Sequence, residues 1–226
     1  MTHLLHIDAS ARPGRSGSEP YGSHTRRLSH RFVTRWMAAR PHDRCSYRDV
    51  GVAPPTPVSA AWVHAAFTPQ AQREDWMQQV LAESDALVDE LLQADLLVLG
   101  VPMYNFGPPA PFKAYIDNIV RVGRTFGFDR SRPGLPYWPM LKGQGKRIVL
   151  LSSRGDFGYE AGGHMAGMNH VEGSIASAFK YLGVDEFHSA AIEYDEFADE
   201  RLAQSIAAAE QRVDVLVDML QVATPG

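Results

Sequence analysis

The sequence predicts an α/β fold, a five-stranded parallel sheet with helices on both faces, and three observations carry that prediction. Two apolar, branched runs, Asp95 to Val101 and Arg147 to Ser153, are too short for buried helices and suit strands covered on both faces. Stripes at helical spacing stand between such runs, the strongest from Trp76 to Leu92. Strand and helix signals alternate along the chain, which implies right-handed crossovers and parallel pairing. With 226 residues and 45% hydrophobic content the chain can fill one such core, so residues 1–226 are expected to be a single domain.

The first strand is Leu4 to Asp8, followed at once by Ala9, Ser10 and Arg12. A polar loop from Pro13 to Gly22 leads into a helix with Leu28, Phe32, Val33 and Trp36 on one face, capped by Ser23 or Thr25. Ser46 to Val50 alternates and reads as a second, edge-type strand. Gly51 to Phe67 has no clear period and is expected to be a long surface connection. Thr68-Pro69 then reads as a cap with proline at the first helical position, opening a helix to about Gln93 whose stripe includes Trp76, Met77, Leu81, Leu87, Val88 and Leu91. The Asp95 strand follows, then a helix from about Pro111 that turns Tyr115, Ile116 and Ile119 inward.

Thr125 to Lys142 is expected to be an irregular excursion whose aromatics, Phe126, Phe128, Tyr137 and Trp138, could wall a pocket. After the Arg147 strand comes a glycine-spaced loop, then a helix from His170 to Leu182 stopped by Gly183. Phe187 to Tyr194 is a last strand, and Asp199 to Val222 a closing helix. Five such units fit the flavodoxin-like strand order 2-1-3-4-5, whose switch point lies between the first and third strands.

Bulk properties narrow the function. A net charge of −4 without long basic runs argues against nucleic acid as a partner. Cys45 is the only cysteine, so no internal disulfide forms, as suits a reducing cytoplasm. Neither a signal peptide nor a membrane-length apolar run is visible.

Ligands of open α/β sheets bind outside the carboxyl ends of the strands, and three loops converge there. The first carries Ser10 and then Ser23, His24 and Thr25 at a helix amino terminus, which attracts a phosphate. The second is Met103, Tyr104, Asn105 and Phe106, offering flat apolar faces and one amide to a planar heterocycle; by itself it reads equally well as a turn plugging the core. The third is Ser153, Arg154, Gly155 and Asp156. No G-x-G-x-x-G follows the first strand, and no G-x-S-x-G elbow exists. His164 and His170 have too few neighbouring ligand residues for a metal site. Provision for one phosphate, an aromatic-and-amide loop and a glycine loop together suggest FMN.

With these residues in place, the chain resembles the FMN-dependent NADH-azoreductases, which are also quinone reductases. The resemblance spans nearly the whole chain and is most specific at Pro102 to Phe106 with Phe112, Lys113 and Tyr115 behind it. Ser10, the Leu28, Ser29, Phe32, Val33 and Trp36 pattern, Arg48-Asp49, Ser153 to Gly155 and Leu182-Gly183 add to it. It implies that Ser10 and a Ser-x-Ser hold the FMN phosphate while the Met103 and Ser153 loops hold the ring. The Ser-x-Ser maps either onto Ser16 to Ser18 or onto Ser23 to Thr25; the second is chosen because a helix begins there, which makes Ser16 to Gly22 an insertion. Where the family has a second glycine this chain has Asp156, a carboxylate expected to lower the flavin potential. The resemblance further implies NADH or NADPH as co-substrate, a quinone or azo acceptor, no dedicated catalytic acid or base, and a homodimer. A flavodoxin-like electron carrier or a regulatory FMN-binding module is the rival reading; carriers tend to be smaller and more acidic.

Overall fold

The two apolar runs that organise the sequence are neighbours at the centre of the sheet. The structure is a computed structural model that describes residues 1–222. Its strands are β1 (His3–Asp8), β2 (Arg44–Asp49), β3 (Leu96–Gly100), β4 (Phe126–Phe128), β5 (Tyr137–Pro139), β6 (Arg147–Ser153) and β7 (Glu186–Ile192). Its helices are α1 (His24–Ala39), α2 (Ala60–Phe67), α3 (Asp75–Gln93), α4 (Ala110–Ile119), α5 (His170–Leu182) and α6 (Glu200–Val222). Five strands pair in parallel in the order β2-β1-β3-β6-β7, while β4 and β5 form a separate antiparallel hairpin. The order therefore differs in its numbering from the expected 2-1-3-4-5, because the excursion between α4 and β6 contributes two short strands of its own.

Alternation along each strand divides the core into two layers. Leu5, Ile7, Leu97, Leu99, Ile148 and Leu150 pack with Leu87 and Leu91 of α3, Phe112 and Tyr115 of α4, and Ile175 and Phe179 of α5. Leu4, Leu96, Val98, Val149 and Leu151 face the other way, onto Leu28, Phe32 and Trp36 of α1 and Val213, Leu216 and Leu220 of α6. Burying each such side chain contributes about 1.5–3 kcal/mol, so the two layers outweigh the surface pairs. Between α1 and α6 runs a ladder of ion pairs: Arg27 to Glu210 at 2.6 Å, Arg31 to Asp214 at 2.7 Å and Arg35 to Asp218 at 3.1 Å.

Three expectations need correction. The stretch from Gly51 to Phe67 is not all connection, since α2 forms at its end with Ser59 Oγ accepting from Trp62 N–H. Thr68-Pro69 does not open the long helix: Thr68 ends α2, a short 3-10 turn follows, and α3 starts only at Asp75. Arg73 reinforces the break by donating to the Ala65 and Thr68 carbonyls at the end of α2. Trp76 is exposed, its indole N–H bound to Glu74, so the buried stripe begins at Met77.

The aromatic hairpin lies at the opposite end of the sheet from the strands' carboxyl ends, so it does not wall a substrate pocket there, and Phe128 lines a separate hollow with Phe67 and Arg124. Leu141 N–H binds the Leu182 carbonyl at the last turn of α5, and Phe126 packs on Tyr181 with ring centroids 5.3 Å apart. The first turn of α5 sits at the other end, where His170 N–H donates to the Phe106 carbonyl. Among the described residues no helix is long and apolar enough to cross a membrane.

Candidate functional site

Because β1, β3 and β6 are adjacent and parallel, their carboxyl ends open onto one cleft of about 210 Å3. Its walls include Ser10, Ser23, His24, Met103, Tyr104, Ser153, Arg154 and Gly155, all expected from sequence. Arg12, Pro102, Asp195 and Glu196 complete it. Thr25, Asn105, Phe106 and Asp156 do not line it.

The first loop is held by a buried arginine. Arg26, 4% exposed, clasps Asp49 with two hydrogen bonds of 2.6 and 2.8 Å and donates to the carbonyls of Ser10 and Arg12. Burial opposes its charge, but Asp49 and Asp8 outweigh that and raise its pKa. Ser23 caps α1, its Oγ accepting from Arg26 N–H, and its hydroxyl also pairs with that of Thr25 at 2.9 Å. The Thr25 side chain is thus fully buried and committed. The amides of His24 and Thr25 stand at the helix start without an acceptor among the described residues, aimed where an anion is favoured. Ser16 and Ser18 line a different hollow, on the outer face of α1 with Arg27 and Arg31, although Ser16 Oγ reaches His24 Nδ1 at 2.8 Å.

The second loop is a tight two-residue turn. Tyr104 and Gly107 exchange both backbone hydrogen bonds, 2.9 and 3.2 Å, around Asn105 (φ 46°) and Phe106 (φ 72°). Two successive left-handed residues are what a type I′ turn demands. Asparagine tolerates this, whereas a bulky phenylalanine there is strained by about 1–3 kcal/mol and persists because its surroundings fix it. The fixings are visible: Met103 N–H binds the Ser153 carbonyl, the Phe106 carbonyl binds α5, and Tyr104 Oη accepts from Ala11 N–H at 3.1 Å.

In the third loop the Arg154 side chain is turned inward, bonded to Glu172 and, at 3.0 Å, to Glu193. Glu193 also accepts from Gly158 and Tyr159 N–H, so this ion pair shapes the loop from behind. Asp156 does not pair with Arg154; its carboxylate accepts from Phe157 N–H at 2.9 Å. Gly155 presents bare backbone to the cleft, and a Cβ on it would come within 2.3 Å of Glu196 Oε1.

Asp195 and Glu196 come from a fourth loop, between β7 and α6. Its amides at Tyr194, Asp195 and Glu196 bind the carbonyls of Asp156, Arg154 and Gly155, stitching it to the third loop. Arg12 and Pro102 lie inside stretches already singled out in the sequence. The signal for the fourth loop is an acidic run directly after the last strand, at a further carboxyl end of the same sheet. Free helix-start amides, serine hydroxyls, a left-handed aromatic turn and a bare glycine together suit a phosphate attached to a planar ring. No group of histidine, cysteine or acidic residues among the described residues is placed to hold a metal ion.

The model of a family described as having the flavodoxin-like fold matches residues 2–214. The chain is 41% identical over 220 residues to FMN-dependent NADH:quinone oxidoreductase 2 of Colwellia psychrerythraea, covering 97% of this chain and 100% of that one. It is 41% identical over 214 residues to FMN-dependent NAD(P)H:quinone oxidoreductase 1 of Pseudomonas aeruginosa, covering 94% and 97%. Among solved structures, an azoreductase from Bacillus anthracis superposes with a TM-score of 0.82 at 22% identity, over 97% of this chain and 100% of that one.

Proposed function

The chain belongs to the family with the flavodoxin-like fold, and from that premise we propose that it is an FMN-dependent NAD(P)H oxidoreductase that reduces quinones and azo compounds. The observation that carries the reading is the convergence of the β1, β3 and β6 loops on the amino end of α1. When bound between these loops, FMN would supply the two-electron redox chemistry that links NAD(P)H to the acceptor.

We assign the phosphate to Ser10, Ser23 and the amides of His24 and Thr25. The ring is assigned to Met103, Tyr104, Asn105 and Phe106 on one side and to Ser153, Arg154, Gly155 and Asp156 on the other. The Arg154 and Asp156 side chains are engaged elsewhere and their carbonyls are bound by the fourth loop, so in this assignment they shape the loop around Gly155. No residue is required to act as acid or base, since positioning and electrostatics are the protein's share. Residues 1–226 are taken as one working domain, in which the five sheet strands counted alone run 2-1-3-4-5 and the β4–β5 hairpin is an insertion.

The test is direct. Purified protein should be yellow, release FMN rather than FAD on heating, and oxidise NADH with menadione as acceptor. A colourless protein that fails to quench FMN fluorescence refutes the reading. Flavin binding without NADH turnover would instead fit an electron carrier. We further propose a cytoplasmic homodimer, a state that light scattering on the eluting holoprotein decides.

A further inference from the structure

His24 at the start of α1 and the nearby Arg12 already have an anionic partner inside the chain. Asp195 Oδ1 lies 3.1 Å from His24 Nε2, and its Oδ2 lies 3.5 Å from Arg12 Nη1. The His24 ring is 8% exposed and is held on its other side by Ser16 Oγ, so it cannot turn away from the carboxylate without breaking that contact. The hydrogen bond from His24, against the opposing effect of burial, keeps the Asp195 carboxyl below its ordinary range, so the group is an anion at neutral pH.

Nor is Asp195 a freely swinging surface residue. Two non-glycine residues in left-handed conformation bracket it, Tyr194 at φ 69° and Ala198 at φ 51°. Its own amide is bound to the Arg154 carbonyl, and Tyr194 stacks on Phe157 with centroids 4.7 Å apart. Strained backbone of this kind persists where its surroundings over-determine it, and it clusters at working sites. What the loop delivers is one carboxylate, across the cleft, onto the imidazole of His24 and the guanidinium of Arg12.

We propose that Asp195 is an internal competitor for the cofactor's phosphate: it holds His24 and Arg12 within the chain and yields them when FMN binds. The inference rests on the FMN reading given above. A phosphate monoester carries nearly two negative charges at neutral pH. It cannot share this corner with an undisplaced carboxylate without repulsion, so binding is an exchange of anions rather than an addition. The neutral donors, Ser10, Ser23 and the helix-start amides, attract the phosphate; Asp195 opposes it and so sets how strongly FMN is preferred over riboflavin.

The experiment compares FMN and riboflavin binding to flavin-stripped protein, parent and Asp195→Asn, by fluorescence quenching. The substitution should tighten FMN about tenfold, the scale expected for removing one charge beside a dianion in a partly solvated site, and leave riboflavin unchanged. Unchanged or weaker FMN binding with riboflavin unaltered overturns the proposal and makes Asp195 an orienter of His24. Should the variant fold poorly, the parent protein decides: saturating inorganic phosphate must compete with FMN but not riboflavin and must shift the His24 imidazole signals in NMR. Absence of both effects overturns the proposal. A parent that binds neither flavin refutes the FMN reading itself, and the proposal with it.

Discussion

Asn105 has two separable duties, and paired substitutions tell them apart. Its backbone lies at φ 46° in the turn closed by Tyr104 and Gly107, and its amide is assigned to the polar edge of the flavin. In Asn105→Ala the side chain is lost and an ordinary L-residue is forced into the left-handed region, which costs about 1 kcal/mol of apoprotein stability. In Asn105→Gly the amide is lost equally, but glycine occupies this region without a Cβ clash, so stability should stay within about 0.5 kcal/mol of the parent. Losing the partner of a buried polar edge costs about 1–3 kcal/mol, so both variants should bind FMN roughly 5- to 150-fold more weakly. Urea unfolding of the flavin-free proteins reads the first duty and fluorescence titration with FMN the second. If Asn105→Gly binds FMN like the parent, the amide makes no contact with the cofactor and the residue serves the turn alone.

Three further outcomes are expected. Arg26→Met should destabilise the apoprotein by about 3 kcal/mol, because it leaves Asp49 and the carbonyls of Ser10 and Arg12 without their donor; an unchanged urea midpoint would show that the loop holds itself. Glu196→Gln should raise the flavin midpoint potential in a dye-coupled titration more than Asp156→Asn does, because Glu196 reaches the cleft at Gly155 whereas Asp156 is tied to Phe157; the reverse order would return the potential to Asp156. The hydrogen bond from Arg31, with burial opposing, depresses the Asp214 pKa below its ordinary value. Its stabilising share is therefore present above the ordinary carboxylate range and lost as pH falls through it, so Asp214→Asn should flatten the fall in unfolding free energy below about pH 4.

The buried strands β3 and β6 are legible because apolar, branched runs bounded by charge leave few alternatives. The start of α5 at His170 and its stop at Gly183 are legible for a local reason, since Gly183 adopts φ 104° and closes the last turn. α2 is not legible: from Ala60 to Phe67 the one polar side chain is His64, so no polar face and no period announce a helix. Trp76 misleads because it satisfies the helical stripe in the first turn of α3, where its indole N–H binds Glu74 instead of entering the core. Within the cleft, the Ser10, Met103 and Ser153 loops follow strands and declare themselves by residue type. Asp195 and Glu196 show only as an acidic run after the last strand, because their place in the cleft rests on backbone hydrogen bonds to a loop some 40 residues earlier, which their own stretch does not encode. The side chains of Arg154 and Asp156 show the converse: position in the motif is legible, but the direction they point depends on Glu172, Glu193 and Phe157.

The ladder between α1 and α6 joins residues 183 positions apart at every rung. On the ribosome this means that Leu28, Phe32 and Trp36, which pack on β1, β3 and β6 as well as on α6, emerge early and gain the last part of their cover only when α6 leaves the exit tunnel. The order of synthesis therefore leaves the helix that borders the cleft without this last part of its cover for most of the chain's elongation. A chain released before Glu200 would leave the α6-facing part of that apolar layer exposed for chaperones or proteases to find.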